Sequence, residues 1–369
     1  MPETDIAIAG GGPAGLAVAI EAATRGLRCV VFERDTYPVD KACGEGLLPD
    51  AAARLQGMGV EIPSTGSHAL RGLRYVDGEY SAAAEFVDGP GLGVRRTALS
   101  LGMLDRATAL GVDIRVGCDV RQLVQDARGV RAETSNGALT ARWMVAADGL
   151  HSRVRAQAGI ASRLGRRRFG ARRHYRVRPW SSYVEVHWAD GVEAYVTPVG
   201  PELVGVAFLW SAGRPRYDAF LRRFEALRVR LGTPVSSVRG SGPFAVRTSA
   251  RYRGRVFLVG DAAGYTDALS GEGLGLAFAG ARVLVEALAQ DAPRAYARRY
   301  DALMQRHRII TAALLGLARR PRLRRRVMEV LARRPERLAG LIALGTGARG
   351  YVQSAPSLLK LLVSVLMSR

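Results

Sequence analysis

Hydrophobic residues form two alternating kinds of pattern along the chain. Short apolar runs at 5–9 and 29–32 flank an Ala-rich stretch at 16–25 that has helical spacing. Because a glycine-rich segment separates the first run from that stretch, this order predicts a β-α-β unit. Two further segments, the apolar run 143–147 and residues 255–259, in which Arg255 precedes four apolar residues, predict buried strands.

A second set of segments shows the alternation of apolar and polar residues that is typical of antiparallel strands. This pattern covers residues 172–210, and residues 66–94 are also strand-like with turns, for example at 73–76 and 83–87. Residues 97–110 predict a helix. The chain therefore combines a core of parallel strands and helices with a separate antiparallel sheet.

A glycine loop follows the first predicted strand. Gly10, Gly12 and Gly15 fit the spacing GxGxxG, with Pro13 and Ala14 between them. In such a loop the glycines allow a tight turn, the close approach of a pyrophosphate and the packing of helix on strand. Glu33, 23 residues after Gly10, ends the second strand and is placed to accept the hydroxyls of a ribose, with Arg34 beside it. These features predict a dinucleotide site.

Two later segments place acidic residues after buried strands. The first is AADGLHSRVR, with Asp148, Gly149 and Arg155. The second is RVFLVGDAAG, in which Gly260 and Asp261 follow a strand directly, so Asp261 is expected at the carboxyl edge of the sheet where ligands bind.

The next stretch, SGEGLGLAFAGA, predicts a helix rich in small residues. The N–H groups at its start, at Gly271, Gly273 and Leu274, are expected to face the edge of a ligand ring where negative charge accumulates.

Together the three motifs resemble the GxGxxG, "DG" and "GD" segments of FAD-dependent monooxygenases of the para-hydroxybenzoate hydroxylase type. The resemblance covers roughly the first 290 residues and implies bound FAD, with NADPH or NADH as a transient reductant. It also implies a flavin-side role for Arg96 at a helix start, with Arg95 as the competing choice. The predicted cofactor-binding residues are Gly10, Gly12, Pro13, Ala14, Gly15, Glu33, Arg34, Cys43, Gly44, Arg96, Val120, Asp148, Gly149, Arg155, Gly260, Asp261, Gly271, Gly273 and Leu274.

The predicted fold is therefore mixed α/β, with a Rossmann-like FAD-binding domain, an interleaved antiparallel-sheet substrate domain and a C-terminal helical region. From Gly273 onward the chain is mostly helical, with its strongest breaks at Pro321 and Pro335. The predicted boundaries are 1–65, 95–160 and 246–295 for the FAD-binding domain, 66–94 and 161–245 for the substrate domain, and 296–369 for the helical region.

The loop KACGEGLLP, at Lys41–Pro49, bears on the reaction. In the family this loop passes close to the flavin ring, and "CGEG" together with the later "SGEG" resembles the geranylgeranyl reductase branch, which saturates isoprenoid double bonds. Cys43 is then either a proton donor or a space-filling residue. The aromatic Tyr-x-Trp-x-Phe-Pro segment of that branch is missing, and the nearest match is AYVTPVG, with Tyr195 and Pro198.

The monooxygenase interpretation requires no dedicated catalytic nucleophile, and it is the favoured one. It predicts oxygen transfer to a hydrophobic aromatic or polyketide-type small molecule in a dry, oriented pocket. The segment GDAAGYTDALSG departs from the family pattern, so Tyr265 and Asp267 join Cys43 as catalytic candidates. A flavin halogenase is less favoured because its Trp-x-Trp-x-Ile-Pro signature is absent, and a non-catalytic flavin-binding protein is a further alternative.

Charge and composition exclude several classes of protein. The net charge is +21, but Lys occurs only at Lys41 and Lys360, so the charge reflects an Arg-rich surface. The densest cluster, Arg163–Arg178, lacks the regular interleaving of aromatic residues expected of a single-strand nucleic-acid binder, and attraction of an anionic cofactor is its alternative role. Three cysteines do not form a disulfide framework, and the scattered histidines predict no metal site.

The ends of the chain bear on its location. We predict no signal peptide and a cytoplasmic protein. The uncharged runs 338–348 and 350–359 are too short to span a bilayer. The C-terminal helices predict a cap over the substrate pocket or, through LLKLLVSVLM, a peripheral membrane contact that delivers a hydrophobic substrate. The oligomeric state stays open.

Overall fold

The parallel sheet, the antiparallel sheet and the C-terminal helices predicted from the hydrophobic pattern are all present. The structure, a computed structural model, describes residues 2–213 and 216–346, with side chains as far as residue 343. The strands are β1 Thr4–Ala9, β2 Cys29–Glu33, β3 Gly46–Leu47, β4 Ser67–Leu70, β5 Gly72–Asp77, β6 Tyr80–Glu85, β7 Gly91–Val94, β8 Asp113–Val116, β9 Val120–Gln125, β10 Val130–Thr134, β11 Gly137–Ala146, β12 Ser162–Leu164, β13 Phe169–Arg176, β14 Tyr183–Ala189, β15 Val192–Gly200, β16 Leu203–Trp210, β17 Thr233–Pro234, β18 Arg239–Ser241, β19 Val246–Thr248, β20 Tyr252–Arg253 and β21 Val256–Leu258. The α-helices are α1 Pro13–Thr24, α2 Pro49–Gly57, α3 Arg96–Ala109, α4 Arg153–Gln157, α5 Tyr217–Leu221, α6 Glu225–Arg230, α7 Gly273–Ala289, α8 Pro293–Ala318, α9 Pro321–Arg333 and α10 Pro335–Thr346.

The first large sheet has the order β20-β21-β11-β1-β2-β8, and β9 and β10 extend it from β11. Strands β21, β11, β1, β2 and β8 pair in parallel. The residues of β21, β1, β2 and the second half of β11 are mostly buried, with α1 and α7 packed together on this domain, as the apolar runs predict, whereas the edge strand β8 is partly exposed. The predicted strand at 143–147 is the end of a longer one, since β11 starts at Gly137 and its first half pairs with β10 at the edge.

The second large sheet has the order β17-β13-β16-β15-β14-β5-β6, with β18 on β13. Its pairs are antiparallel except for β14 with β5. The antiparallel substrate sheet predicted from the alternating pattern is thus confirmed. The strand predicted at 83–87 begins and ends earlier, as β6.

A small three-stranded sheet joins the two domains. Strand β7 lies between β3 and β4, so residues predicted for the FAD-binding piece pair directly with residues predicted for the substrate piece. Gly93 allows this contact, because a Cβ there would clash with the backbone of Pro198 on β15. The two domains therefore share a seam at residues 44–47 and 91–94.

The C-terminal helices divide between the two domains. The first half of α8 belongs to the FAD-domain core through Tyr296, Tyr300 and Met304. Helices α9 and α10 instead pack on β6 of the substrate sheet. Pro321 and Pro335 start α9 and α10, as the sequence breaks predict.

None of the helices in residues 2–213 and 216–346 is both long enough and apolar enough to cross a bilayer. The segment LLKLLVSVLM, for which we predicted a peripheral membrane contact, lies outside the described residues.

Candidate active site

Four parallel strands end at one edge of the FAD-domain sheet, and each delivers a residue singled out in the sequence. Strand β1 leads to Gly10, β2 ends at Glu33, β11 leads to Asp148 and β21 leads to Asp261. The chain passes from β1 to β2 on one side and returns to β11 on the other, so the crevice between β1 and β11 is a topological switch point. Open parallel sheets bind their ligands at that point.

The glycine loop is built to bring backbone close to a ligand. Gly10 has φ +102°, and a Cβ there would lie 2.5 Å from the carbonyl oxygen of Ala147. Gly12 differs, because its φ of −71° suits any residue and its only neighbour on that side is an Arg96 nitrogen, 3.8 Å from an added Cβ. Helix α1 starts at Pro13 without a side-chain cap, so its first N–H groups are available to phosphate oxygens.

Glu33 is held in the cleft at the carboxyl end of β2. It is buried, its Oε2 accepts a hydrogen bond of 2.7 Å from the Gly11 N–H, and its Oε1 accepts one of 2.9 Å from the Asp35 N–H. Each carboxylate oxygen retains capacity for another donor, as a ribose hydroxyl requires. Arg34 is exposed and pairs with Asp35 at 3.6 Å.

Arg96 places a buried positive charge in the cleft. It is buried at the start of α3, and its Nε has no hydrogen-bond partner within the part of the chain that the structure describes. Burial lowers the pKa of its guanidinium, and Cys43, Asp261 and Glu45 partly oppose that shift. Such a buried donor without an acceptor, directed toward Gly12, fits the phosphates or ring of FAD, and it favours Arg96 over Arg95.

A hydrogen bond joins the DG segment to the GD segment. Ser152 caps α4 by accepting the Arg155 N–H at 3.0 Å. The buried Arg155 guanidinium donates to the carbonyl oxygens of Ala262, at 3.0 Å, and Leu150, at 3.2 Å. Its contacts in the protein thus brace the two segments. Asp148 accepts the Val154 N–H with Oδ2, and its buried Oδ1 has no partner among the described residues.

The GD segment follows β21 and lines the cleft next to Lys41. Gly260 has φ +58°, and the Nζ of Lys41 lies 3.4 Å from Oδ2 of Asp261. Helix α7 starts at Gly273 with no side-chain cap, as expected for N–H groups that serve a ligand. The Tyr265 ring lies 3.6 Å from the position of a Cβ on Gly273, and burial raises its pKa well above the ordinary value.

Side chains of the substrate sheet hold the CGEG loop through hydrogen bonds and an ion pair. Arg172 of β13 donates to the Lys41 carbonyl oxygen at 3.2 Å and pairs with the carboxylate of Asp40. Thr197 of β15 donates to the Gly44 carbonyl oxygen at 2.8 Å. The loop's position relative to the FAD domain is thereby fixed by side chains of the other domain.

Glu45 lies at the centre of these contacts between the CGEG loop and the substrate sheet. It adopts φ +59°, an unusual conformation for a side-chain-bearing residue, and its carboxylate is buried. One oxygen accepts the Arg96 N–H at 2.8 Å, and the other is hydrogen-bonded to His174 Nε2. Glu45 therefore links the substrate sheet to the start of α3. The glycine-flanked acid of CGEG marks Glu45 in the sequence, whereas nothing there marks His174 as its partner.

Cys43 lies at the middle of the same loop. It is half-buried, and its Sγ accepts the Glu45 N–H at 3.3 Å. Burial raises the pKa of the thiol above its usual range, and Arg96 only partly offsets this. Cys43 is thus held as a neutral thiol, a form that donates a proton and is a poor nucleophile. Cys29, by contrast, is enclosed in β2, where burial raises its pKa to about 12.

Asp267 has a structural partner. Its carboxylate is buried, lies 2.8 Å from Arg168 Nε, and accepts the Leu269 N–H at 3.1 Å. The same guanidinium pairs with Glu193 at 2.7 Å. Asp267 thereby anchors the loop that follows the GD segment onto the substrate sheet, and its catalytic role stays a prediction.

Replacing Arg96 by Met is expected to change stability and binding in opposite directions. Removal of a buried, unpaired charge should raise the free energy of unfolding of the apoprotein by about 1 kcal/mol. Loss of the charge-assisted contact should weaken FAD binding by about tenfold. Urea unfolding of apoprotein and fluorimetric FAD titration measure the two effects. Arg95→Met serves as the neighbouring control, and equal FAD affinity in both variants would contradict the assignment.

Comparison with known proteins agrees with this geometry. The FAD binding domain family matches residues 3–218, more than half of the chain. The chain is 30% identical over 340 residues to rifampicin monooxygenase of Streptomyces venezuelae, covering 84% of this chain and 69% of that protein. It is 28% identical to menaquinone reductase of Mycolicibacterium smegmatis, covering 82% and 80% of the two chains.

A solved structure shows the same fold. A geranylgeranyl bacteriochlorophyll reductase-like protein of Thermoplasma acidophilum superposes with a TM-score of 0.77 at 19% identity, covering 97% of this chain and 99% of that one. The fold, the cleft and the relatives define an FAD-dependent oxidoreductase. The chain belongs to the FAD binding domain family of para-hydroxybenzoate hydroxylase-like flavoproteins, which includes both monooxygenases and isoprenoid or quinone reductases.

Proposed function

We propose that this flavoenzyme reduces a carbon–carbon double bond of an isoprenoid chain, such as the side chain of a prenylated quinone. The observation that carries the proposal is Cys43, a thiol kept protonated on a loop that both domains hold in place. Reduction of a double bond needs a proton donor beside the hydride donor. Oxygen transfer, which the sequence alone favours, gives no role to this thiol or to the residues that hold its loop.

The chemistry divides between cofactor and protein. Reduced FAD supplies the hydride when bound. Cys43 Sγ would supply the proton to the less substituted carbon of a trisubstituted isoprenoid double bond, the carbon that does not receive the hydride. Because Cys43 is only half-buried, it is accessible to solvent, which returns a proton to its sulfur. The protein's remaining task is to orient the bond and exclude water.

The supporting residues explain why the loop is so constrained. Glu45 orients both the Cys43 sulfur, through its own N–H, and the first turn of α3, through its carboxylate. Arg172 and Thr197 hold the loop's carbonyl groups. A proton donor must stay within about 3 Å of the carbon it serves, so such fixation is expected at a catalytic loop. We further propose NADPH or NADH as the physiological reductant.

Cys43→Ala is expected to lower the rate of double-bond reduction by about tenfold, because water is then the proton source at a half-exposed position. FAD content and the rate of flavin reduction by dithionite should be unchanged. Cys118→Ala, a buried thiol remote from the loop in sequence, is the matched control. The measurement is single-turnover kinetics with reduced enzyme. A C43A rate equal to wild type would overturn the role of Cys43.

A monooxygenase acting on a hydrophobic aromatic or polyketide-type molecule is the second candidate. The observation that favours it is the 30% identity to a protein named rifampicin monooxygenase. The two candidates differ in the product, which gains two hydrogen atoms in one case and an oxygen atom in the other.

A further inference from the structure

A cavity of about 1000 Å³ lies at the end of the substrate sheet away from the CGEG loop. It is bordered by the turn between β14 and β15, the end of β16, helix α5 and the junction of α8 with α9, and it is open to solvent. Its size is at the upper end of the range for small-molecule sites. No residue of the glycine loop, the CGEG loop or the GD turn lines it, so it is distinct from the flavin cleft.

The lining of this cavity is strongly cationic. Arg166, Arg168, Arg223 and Arg319 are four of its thirteen lining residues, and Glu193 is the only acid among them. Arg168 is the one arginine whose charge is compensated, since Glu193 and Asp267 both pair with it. The remaining three guanidinium groups face the same space.

Those three arginines are exposed, and none of them forms an ion pair within the part of the chain that the structure describes. Within residues 2–213 and 216–346, neither Arg166 nor Arg319 lies within ion-pair distance of a carboxylate, and the Arg223 guanidinium donates only to the Asp190 carbonyl oxygen, at 2.7 Å. The pKa of the exposed Arg319 is lowered first by desolvation and then by the charges of Arg166 and Arg168, and Asp267 opposes that shift. An anion placed among these groups relieves the repulsion between their charges.

Two further features define what kind of anion fits. Helix α9 starts at Pro321 in the cavity wall without a side-chain cap, so its free N–H groups add to the positive potential. Phe220, Ala219 and Ala318 provide an apolar surface beside the charges. Forked guanidinium donors at several angles match the oxygens of a phosphoryl group, and the apolar surface accommodates the body that carries it.

We propose that this cavity is a binding site for a phosphoryl group, in the form of a phosphomonoester or diphosphate, separate from the dinucleotide site. Arg166, Arg223 and Arg319 provide the donors. Arg168 also connects the site to Asp267, on the loop between the GD segment and α7.

The test uses FAD-loaded protein and inorganic pyrophosphate in an isothermal titration at constant ionic strength. Wild type is expected to bind with saturation at one site and to keep its FAD. The double variant R166Q/R319Q should bind at least tenfold more weakly. The control R294Q/R298Q removes the same charge from the exposed beginning of α8, about 30 Å along the helix from Arg319, and should bind within twofold of wild type.

Three results would overturn the proposal: no saturable binding, equal weakening in both double variants, or release of FAD in step with the titration. The last would place pyrophosphate in the flavin cleft instead. Octyl phosphate and inorganic phosphate form a second pair of probes. Tighter binding of octyl phosphate identifies an ester seated on Phe220, and equal binding identifies a free inorganic anion.

Discussion

Gly12→Val is expected to yield a folded protein that has lost its FAD. The backbone at Gly12 already has a conformation that valine adopts, and an added Cβ meets only Arg96, at 3.8 Å. The protein itself therefore has room for the side chain. The space it fills is the one through which a pyrophosphate approaches the N–H groups of α1.

We expect FAD affinity to fall by at least about a hundredfold, equivalent to about 2.7 kcal/mol. The measurements are the ratio of flavin to protein after gel filtration and the circular dichroism of the apoprotein. Gly57→Val, at the exposed end of α2 with no heavy atom within 4 Å of an added Cβ, is the control. A yellow G12V protein with the wild-type flavin ratio would contradict the position of the cofactor.

Arg324→Met is expected to detach the C-terminal helices from the substrate sheet at a large cost in stability. Arg324 of α9 is buried and bonds both carboxylate oxygens of Asp77, at 2.8 and 3.1 Å. Its guanidinium also reaches the carboxylate of Asp190 and lies 5.6 Å from the ring centre of Trp188. Removal of the cation leaves Asp77 buried without a partner, which costs about 3 to 5 kcal/mol.

The matched control is the double variant Asp77→Leu/Arg324→Met. Replacing a buried ion pair by apolar side chains is close to neutral, so the double variant should recover most of the stability lost by R324M. Urea unfolding followed by tryptophan fluorescence measures both, and Trp188 reports on this region. If R324M and the double variant lose the same free energy, the pair is not what holds the helices to the sheet.

The sequence predicts the parts of this protein that depend on local patterns. The β-α-β unit and the positions of Gly10, Glu33, Asp148 and Asp261 follow from short motifs, because each acts through its own strand end. The starts of α9 and α10 follow from their proline residues for the same reason.

Long-range partners escaped prediction because they depend on strand register. Glu45 and His174 lie 129 residues apart, and only the pairing of β13 within the substrate sheet brings them together. The same is true of Arg168 with Asp267, and of the parallel pairing of β14 with β5 inside an otherwise antiparallel pattern. Asp267 stood out as an unusual residue near the flavin motif, whereas its buried partner on the sheet could not be inferred.

The most direct test of the proposed activity is a single anaerobic turnover. Enzyme reduced with dithionite is mixed with menaquinone in detergent, and the side chain is examined by mass spectrometry. We predict a product heavier than the substrate side chain by two hydrogen atoms, formed equally well without oxygen. A side chain unchanged anaerobically, together with a product that gains one oxygen atom when air is admitted, would contradict the reductase and establish the monooxygenase.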